Sequence, residues 1–208
     1  MVSLSTQLKK RGKFMSNMQS WKQNIGSIIN YAERIFPEVE IVSRALSGEI
    51  VKSNYGQVAK RAKKLGSSLE AYGIKHGQNV GSLALNTYRN MEMYYGISGM
   101  GAVMHTINFR LHPEQVVYII NHAENRIIFL ETVFAPLLEA IQANCPTVEK
   151  YVLLCSKEEM PETTLKDAIS YEEFIDDGDE SYEWPELEED APCGLCYTSG
   201  TTGNPKGV

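Results

Sequence analysis

Cysteine is scarce. Cys145, Cys155, Cys193 and Cys196 are the only four in 208 residues, too few for a domain of this size to be held together by disulfides. A long hydrophobic run is also missing. The longest uncharged stretch, Met93–Phe109, is interrupted by Gly96, Ser98, Gly99, Gly101, Thr106 and Asn108 and is short for a bilayer crossing, so no transmembrane segment is expected. The first fourteen residues hold Lys9, Lys10, Arg11 and Lys13 without an acid. No apolar stretch adjoins them, so no secretory leader is expected and the cytoplasm is the default compartment. Excess positive charge is absent overall: the formal net charge is −6, which argues against a general nucleic-acid ligand. What is present is ordinary for a globular chain, with 43% hydrophobic and 22% charged residues, and this excludes a disordered or collagenous polymer.

Charge is distributed unevenly. Residues 157–190 contain 15 of the 26 acids, with Lys157 and Lys166 as the only bases. Together with Pro161 and Pro185, and Pro192 just beyond, this predicts an irregular surface connection whose charge forms a solvated face. Residues 1–17 read as a basic tail, with Met15 a second candidate start, and residues 18–208 as one incomplete domain.

The apolar periodicity gives the elements. Ile25, Ile28, Ile29 and Ala32 repeat at helical spacing before Pro37. Two short strands, Glu40–Arg44 and Glu49–Lys52, flank Leu46-Ser47-Gly48 as a hairpin. Ser53 or Asn54 can cap a helix whose face is Val58, Ala62, Leu65 and Leu69, ended by Gly73. Lys60, Arg61, Lys63 and Lys64 fall between those positions and predict a solvated helix face. Val80–Leu85, Ala102–Ile107, Arg126–Leu130 and Lys150–Cys155 read as strands. Helices are expected at Arg89–Met100, Pro113–His122 and Pro136–Asn144, with at most a short one at Tyr171–Ile175. Gly96 and Gly99 would let a neighbouring backbone come close. Strands alternating with helices at this spacing predict an α/β fold with a mostly parallel sheet flanked by helices. Trp21, Tyr31, Tyr94 and Tyr95 punctuate the helices and are expected in the core.

Leu195–Thr198 resumes as an apolar strand and leads into Tyr197-Thr198-Ser199-Gly200-Thr201-Thr202-Gly203-Asn204-Pro205-Lys206-Gly207-Val208. Gly200, Gly203 and Gly207 allow main-chain N–H groups to approach a ligand. Thr198, Ser199, Thr201 and Thr202 supply four hydroxyls within five positions, and Lys206 a compact cation. Many donors, one cation and no acid describe a cradle for a polyanion, with a nucleoside triphosphate tail the obvious ligand. The string is not a Walker A loop: Pro205 precedes the lysine where that motif needs glycine, and Gly207 stands where it needs Ser or Thr. A glycine-rich linker would explain the glycines but not the ordered hydroxyls and lysine. With the next element lacking residues after Val208, the sequence looks truncated.

This string resembles the phosphate-binding signature [ST]-[ST]-G-T-T-G-x-P-K-G of the adenylate-forming (AMP-binding) superfamily. Asn86-Thr87-Tyr88-Arg89, Tyr94 to Val103, His105-Thr106-Ile107-Asn108 and Tyr118 to Ala123 resemble its acyl-CoA synthetase branch, in particular medium- and long-chain fatty-acid–CoA ligases. The likeness runs from about Ile25 to Val208. Two departures affect local turns: Phe109 stands where the family usually has proline, and Asn54-Tyr55-Gly56-Gln57-Val58 is a loose version of a Thr-Tyr-x-Glu-Leu helix start.

The resemblance implies part of the N-terminal domain of an ATP-dependent acid–thiol ligase. In such an enzyme a carboxylate attacks the α-phosphorus of Mg-ATP to give acyl-adenylate and pyrophosphate, and coenzyme A then displaces AMP. It also implies that Ser199, Gly200, Thr201, Thr202 and Gly203 wrap the β/γ-phosphates and that Lys206 neutralises pyrophosphate. Thr198 would assist Mg2+ through its hydroxyl, since magnesium takes few protein ligands. The family's adenine, ribose, acidic magnesium and C-terminal lysine motifs lie downstream of the signature, so no catalytic residue is assigned here and the chain alone is expected to be inactive. A carboxylate, ATP and CoA are the implied substrates, and a homodimer the candidate assembly. Two alternatives stay open: a non-catalytic nucleotide-binding fragment, and another branch such as an aryl-acid ligase or a peptide-synthetase adenylation domain.

Two other features compete for attention. Cys193-Gly194-Leu195-Cys196 is a C-x-x-C, but no second pair or suitably spaced histidine completes a zinc site, and Cys196 is expected to be a small buried residue. His105 is expected to be a satisfied core histidine.

Overall fold

The computed structural model describes residues 21–198 and 203–208; the predicted basic tail at 1–17 lies outside them. Asn24 opens helix α1 (Ile25–Ile35) by accepting the Ser27 N–H at 2.9 Å, and the Ser27 hydroxyl donates back to the Asn24 carbonyl at 2.7 Å. Strands β1 (Glu40–Arg44) and β2 (Ile50–Asn54) form the expected antiparallel hairpin, turning at Gly48 with φ +88°. Asn54, rather than Ser53, caps helix α2 (Tyr55–Tyr72), and Gly73 ends it at φ +95°, a conformation glycine adopts without steric cost.

The main sheet is built from β3 (Asn79–Leu83), β4 (Val103–Thr106), β5 (Ile127–Leu130), β6 (Lys150–Leu153), β7 (Ala168–Ser170), β8 (Gly194–Thr198) and β9 (Lys206–Gly207). Their order is β7-β6-β5-β3-β4-β8-β9, and every neighbouring pair is parallel except β8/β9. Helices α3 (Tyr88–Gly99), α4 (Pro113–His122), α5 (Ala135–Ile141) and α6 (Tyr171–Asp176) complete the layers. Leu65, Leu69, Met93, Ile97, Tyr171 and Ile175 of α2, α3 and α6 pack with Val80, Ile127, Phe129 and Val152 on one face. Val116, Ile119, Ile120, Leu138 and Ile141 of α4 and α5 pack with Ile128, Leu130, Tyr151 and Leu153 on the other. Ile127 and Phe129 thus face one layer while Ile128 and Leu130 face the opposite one, as the two-residue period of a strand requires. The α/β fold with a mostly parallel sheet flanked by helices is the one the spacing predicts. No helix among the described residues is long and apolar enough to cross a membrane.

Several local expectations change. The basic run of α2 is a solvated face only in part: Lys60 is exposed, whereas Arg61 and Lys63 are engaged. The Arg61 Nε donates to Glu92 Oε1 at 2.7 Å, and its two terminal nitrogens donate to Glu172 at 2.9 and 3.0 Å. Lys63 pairs with Glu33 at 2.6 Å and is mostly shielded. The helical period brings these cations to the flank of the buried stripe, where acids of α1, α3 and α6 meet them. Ile28, predicted on the apolar face of α1, is exposed, and Ile29 takes the core position.

The acidic segment 157–190 is not wholly irregular either, because it contributes β7 at the sheet edge and α6 beneath it. Beyond α6 it lays Trp184 across three glycines on three helices. A methyl group at Gly26, Gly66 or Gly99 would stand 2.8–2.9 Å from the indole. Gly96 does admit a backbone, since a methyl there would lie 2.8 Å from the Ala62 carbonyl oxygen; Gly99 admits the indole instead. The indole N–H donates to Asn30 Oδ1 at 3.1 Å.

Trp184→Ala is therefore expected to cost about 2–3 kcal/mol, below the ~3–5 kcal/mol of a fully enclosed aromatic because the ring is only partly buried. Urea unfolding checks this, and an unchanged midpoint would show that the strap contributes nothing to stability.

Candidate functional site

The sheet reverses direction of growth around β3, with β4 on one side and β5 on the other. In such sheets ligands bind at the carboxyl ends of the strands, near the reversal. Strand β8 adds to β4 in parallel, with Met104 opposite Gly194 and Thr106 opposite Cys196, so Thr198 lies at that carboxyl edge.

The signature string is a hairpin. Cys196 and Val208 exchange both backbone hydrogen bonds, at 2.9 and 2.8 Å; Tyr197 lies opposite Gly207 and Thr198 opposite Lys206. Directly opposed residues of an antiparallel pair carry their side chains on one face, so the Thr198 hydroxyl and the Lys206 ammonium share a face at the mouth of the turn. Both residues are exposed. The Thr198 hydroxyl reaches the Lys206 carbonyl only at 3.5 Å, a weak engagement that leaves it free to meet a ligand. Gly203 has φ +107°, and Pro205 is buried at the base of the turn. The structure thus brings Thr198, Gly203 and Lys206 into one hairpin; Ser199, Gly200, Thr201 and Thr202 lie outside the described residues.

Tyr197 points the other way, and what it meets was not anticipated from the sequence. Its hydroxyl is 2.6 Å from His122 Nδ1 at the end of α4, and its ring lies against His105, centroids 5.1 Å apart. The only sequence-level signal was position: Tyr197 begins the signature. His105 is a core histidine as expected, with Nδ1 2.7 Å from Asn125 Oδ1, yet it is satisfied on one side only, because Nε2 is buried without a partner. Burial pulls its pKa down to about 4, against the opposing bond to Asn125, so the ring is neutral near pH 7. Glu131, at the carboxyl end of β5, also has a buried oxygen without a partner, and burial pushes its carboxyl above the usual range.

The cysteine expectation is corrected. Cys193 and Cys196 are both exposed and free. The face of β8 that carries Cys196 and Thr198 is exposed, and the Cys196 Sγ lies 3.1 Å from the Thr106 hydroxyl. Gly194 and Leu195 lie between them in extended chain, which puts the two Cα atoms roughly 10 Å apart, too far for a disulfide. No group of three or more His, Cys, Asp or Glu side chains that could hold a metal occurs among the described residues.

The aromatic expectation holds for Tyr95, which packs against Ile29, Val58 and Ala59, and is corrected for the other three. Trp21, Tyr31 and Tyr94 are 60%, 54% and 45% exposed. Trp21 and Tyr31 border a cleft of about 440 Å³, and Tyr94 and Tyr95 one of about 620 Å³. Cys193 borders both clefts, and the larger one extends from there to Asn86, Thr87 and Tyr88, which follow β3 at the carboxyl end of the sheet.

Could a magnesium ion fit the hairpin? A dedicated protein cage is absent among the described residues. A weakly engaged hydroxyl beside a glycine-rich turn nevertheless suits a hard cation that arrives on phosphate and keeps its waters. Thr198 is the residue that fits.

Comparison with known proteins agrees with this geometry. The family model described as AMP-binding enzyme matches residues 34–208. The chain is 45% identical over 184 residues to a 3-methylmercaptopropionyl-CoA ligase of Ruegeria pomeroyi, covering 88% of this chain and 34% of that protein. It is 41% identical over 184 residues to a medium-chain-fatty-acid–CoA ligase of Ectopseudomonas oleovorans, with the same coverage. Among solved structures, the anthranilate CoA ligase AuaEII in complex with anthranoyl-AMP superposes with a TM-score of 0.80 at 26% identity, covering 91% of this chain and 35% of that one. The chain thus spans about a third of the length of the curated relatives it matches. A doubly wound sheet that delivers Thr198 and Lys206 to one side of a glycine-rich hairpin, together with this match, places the chain in the AMP-binding enzyme family.

Proposed function

We propose that this chain provides the phosphate-binding portion of an ATP-dependent fatty-acid–CoA ligase. The observation that carries the reading is the β8/β9 hairpin, which sets the Thr198 hydroxyl and the Lys206 ammonium side by side at the carboxyl edge of the parallel sheet. Adenylation brings two anions together, a carboxylate and a triphosphate. A site for it needs cations and fixed donors around the departing pyrophosphate rather than a protein nucleophile.

In this reading Lys206 places its charge on the leaving pyrophosphate. The glycine-rich turn that includes Gly203, with Ser199, Gly200, Thr201 and Thr202, wraps the β- and γ-phosphates. Thr198 would hold Mg2+ through its hydroxyl, and the ion, when bound, would supply charge neutralisation along the phosphates. The acyl-adenylate would then pass to the thiol of coenzyme A. The choice of an aliphatic carboxylate is supported by the named substrates of the bacterial relatives, 3-methylmercaptopropionate and medium-chain fatty acids.

Carboxylate-dependent ATP–pyrophosphate exchange tests the proposal. In the complete ligase, Lys206→Ala and Thr198→Ala are each expected to weaken adenylation by about 1.5–3 kcal/mol, the contribution of one charge-assisted bond, or roughly 10- to 150-fold. The 208-residue chain by itself is expected to show no exchange. Equal rates for both variants and the unaltered ligase would remove the assigned roles, and robust exchange by the chain alone would show that it holds a complete site.

A further inference from the structure

The phosphate hairpin has to be held at a fixed angle to the sheet, yet it pairs laterally with only one strand, β4. What else grips it? On the face opposite Thr198 and Lys206, Tyr197 reaches from β8 to the last residue of α4, His122. Oη and Nδ1 are 2.6 Å apart and the rings meet edge to face, with centroids at 5.8 Å. Tyr118, one turn earlier on α4, stacks on His122 with centroids 5.4 Å apart. Gly207 covers the far edge of the tyrosine ring, since a methyl there would stand 3.4 Å from Tyr197 Cζ. The ring is thus bounded by His105, His122 and the returning strand of its own hairpin.

The end of α4 is itself immobilised. The Asn121 side-chain amide donates to the Asn144 carbonyl at 2.8 Å, and the Asn79 amide at the start of β3 donates to the Ala123 carbonyl at 2.8 Å. The residues on both sides of His122 are therefore tied to two other parts of the domain. A short bond from so rigid a point can transmit position, and its length is at the strong end for a hydroxyl partner.

We infer that His122 and Tyr197 form a latch that sets the orientation of the phosphate hairpin, with His122 acting as a positioning residue for ATP. The inference rests on the ligase reading, because it assigns the latch a consequence for nucleotide binding. Tyr197 turns away from the face that carries Thr198 and Lys206, so the pair contacts no phosphate. It fixes the strand from which those two side chains project.

Four variants separate the bond from the packing. Tyr197→Phe keeps the ring and removes the hydroxyl. His122→Phe keeps the stack on Tyr118 and removes Nδ1. His122→Asn returns an amide near the position of Nδ1 that can donate or accept, as the imidazole does. The double variant, His122→Phe with Tyr197→Phe, tests coupling.

Amide hydrogen exchange is measured first, on the 208-residue chain. The Cys196 amide, which bonds Val208 across the hairpin, should exchange several-fold faster in Tyr197→Phe and His122→Phe and close to the unaltered rate in His122→Asn, with the Phe129 amide in the sheet interior unaffected. In the complete ligase, both phenylalanine variants should raise KM for MgATP about fivefold, with KM for the carboxylate unchanged. The asparagine variant should recover most of the loss, and the double variant should lose no more than either single one. Cys196 protection that is the same in all variants overturns the latch, as does a fully additive double variant. An unaltered ligase without pyrophosphate exchange would sink the ligase reading instead, while the exchange of the Cys196 amide would still decide the latch.

Discussion

Arg61→Ala is expected to destabilise the chain by about 3–5 kcal/mol, the cost of stranding one member of a buried ion pair. Glu92 is fully buried on α3, and its carboxylate has two partners, Arg61 Nε at 2.7 Å and the Tyr171 hydroxyl, which donates at 2.9 Å. Burial pushes the Glu92 carboxyl above the usual range, and the Arg61 guanidinium pulls the other way. Removing the guanidinium leaves only burial and one neutral donor. Glu172 would lose its two-pronged bond to Arg61 but keep the Arg89 guanidinium, 2.9 Å away, so the larger penalty falls on Glu92. Replacing both charges by apolar groups of similar size, Arg61→Met with Glu92→Leu, should recover part of the loss, because no charge of this pair is then stranded, although the buried Tyr171 hydroxyl loses its acceptor. Urea midpoints of the two variants and the unaltered chain check this. A single Arg61→Ala within about 1 kcal/mol of the unaltered chain would mean that the network is no more than a surface pair.

The second large effect concerns acid. The His105 ring is neutral in the folded chain down to about pH 4, whereas its ordinary pKa is 6.5. Between those values the unfolded chain binds a proton that the folded chain refuses. The contribution of this residue is therefore complete above pH 6.5 and is lost as the pH falls toward 4. A shift of that size corresponds to about 3 kcal/mol. His105→Gln keeps a side chain that can bond Asn125 and removes the titration. The expected result is a loss of roughly 3 kcal/mol for the unaltered chain between pH 7 and pH 4, and a markedly shallower loss for the variant. Parallel pH profiles would show that His105 accepts its proton without cost. Carboxylates protonate in the same range, which is why the difference between the two profiles is the informative quantity.

Why were these groups harder to read than the framework? The framework rests on short-range rules. Val58, Ala62, Leu65 and Leu69 are all buried as their spacing requires, Asn54 caps where a capping residue was sought, and Gly73 terminates by turning left-handed. The alternation of strands and helices then leaves little choice of architecture. The phosphate signature was legible because its residue types are contiguous and chemically one-sided. What failed depended on partners far away in the chain. Arg61 looked solvated because Glu172 lies 111 positions later. Trp184 looked like part of an acidic loop because the slot that receives it is made of glycines from three different helices. Cys196 looked buried because an apolar strand suggests an interior one, while the face it occupies is exposed. His122 gave no hint of its link to Tyr197, since nothing local marks a histidine at a helix end as a partner for a strand 75 residues on.

The position of β8 has a bearing on the order in which the molecule assembles. The strands β3 to β7 and their helices can zip together through connections of ordinary length. Strand β8 must find β4 across a separation of about 90 residues, from Thr106 to Cys196. Closing so long a loop is entropically unfavourable until the surface that receives the strand exists. The β8/β9 hairpin is then the last piece to dock, onto a scaffold already formed. In refolding experiments, native-like far-ultraviolet signal should return before the Cys196 amide becomes protected.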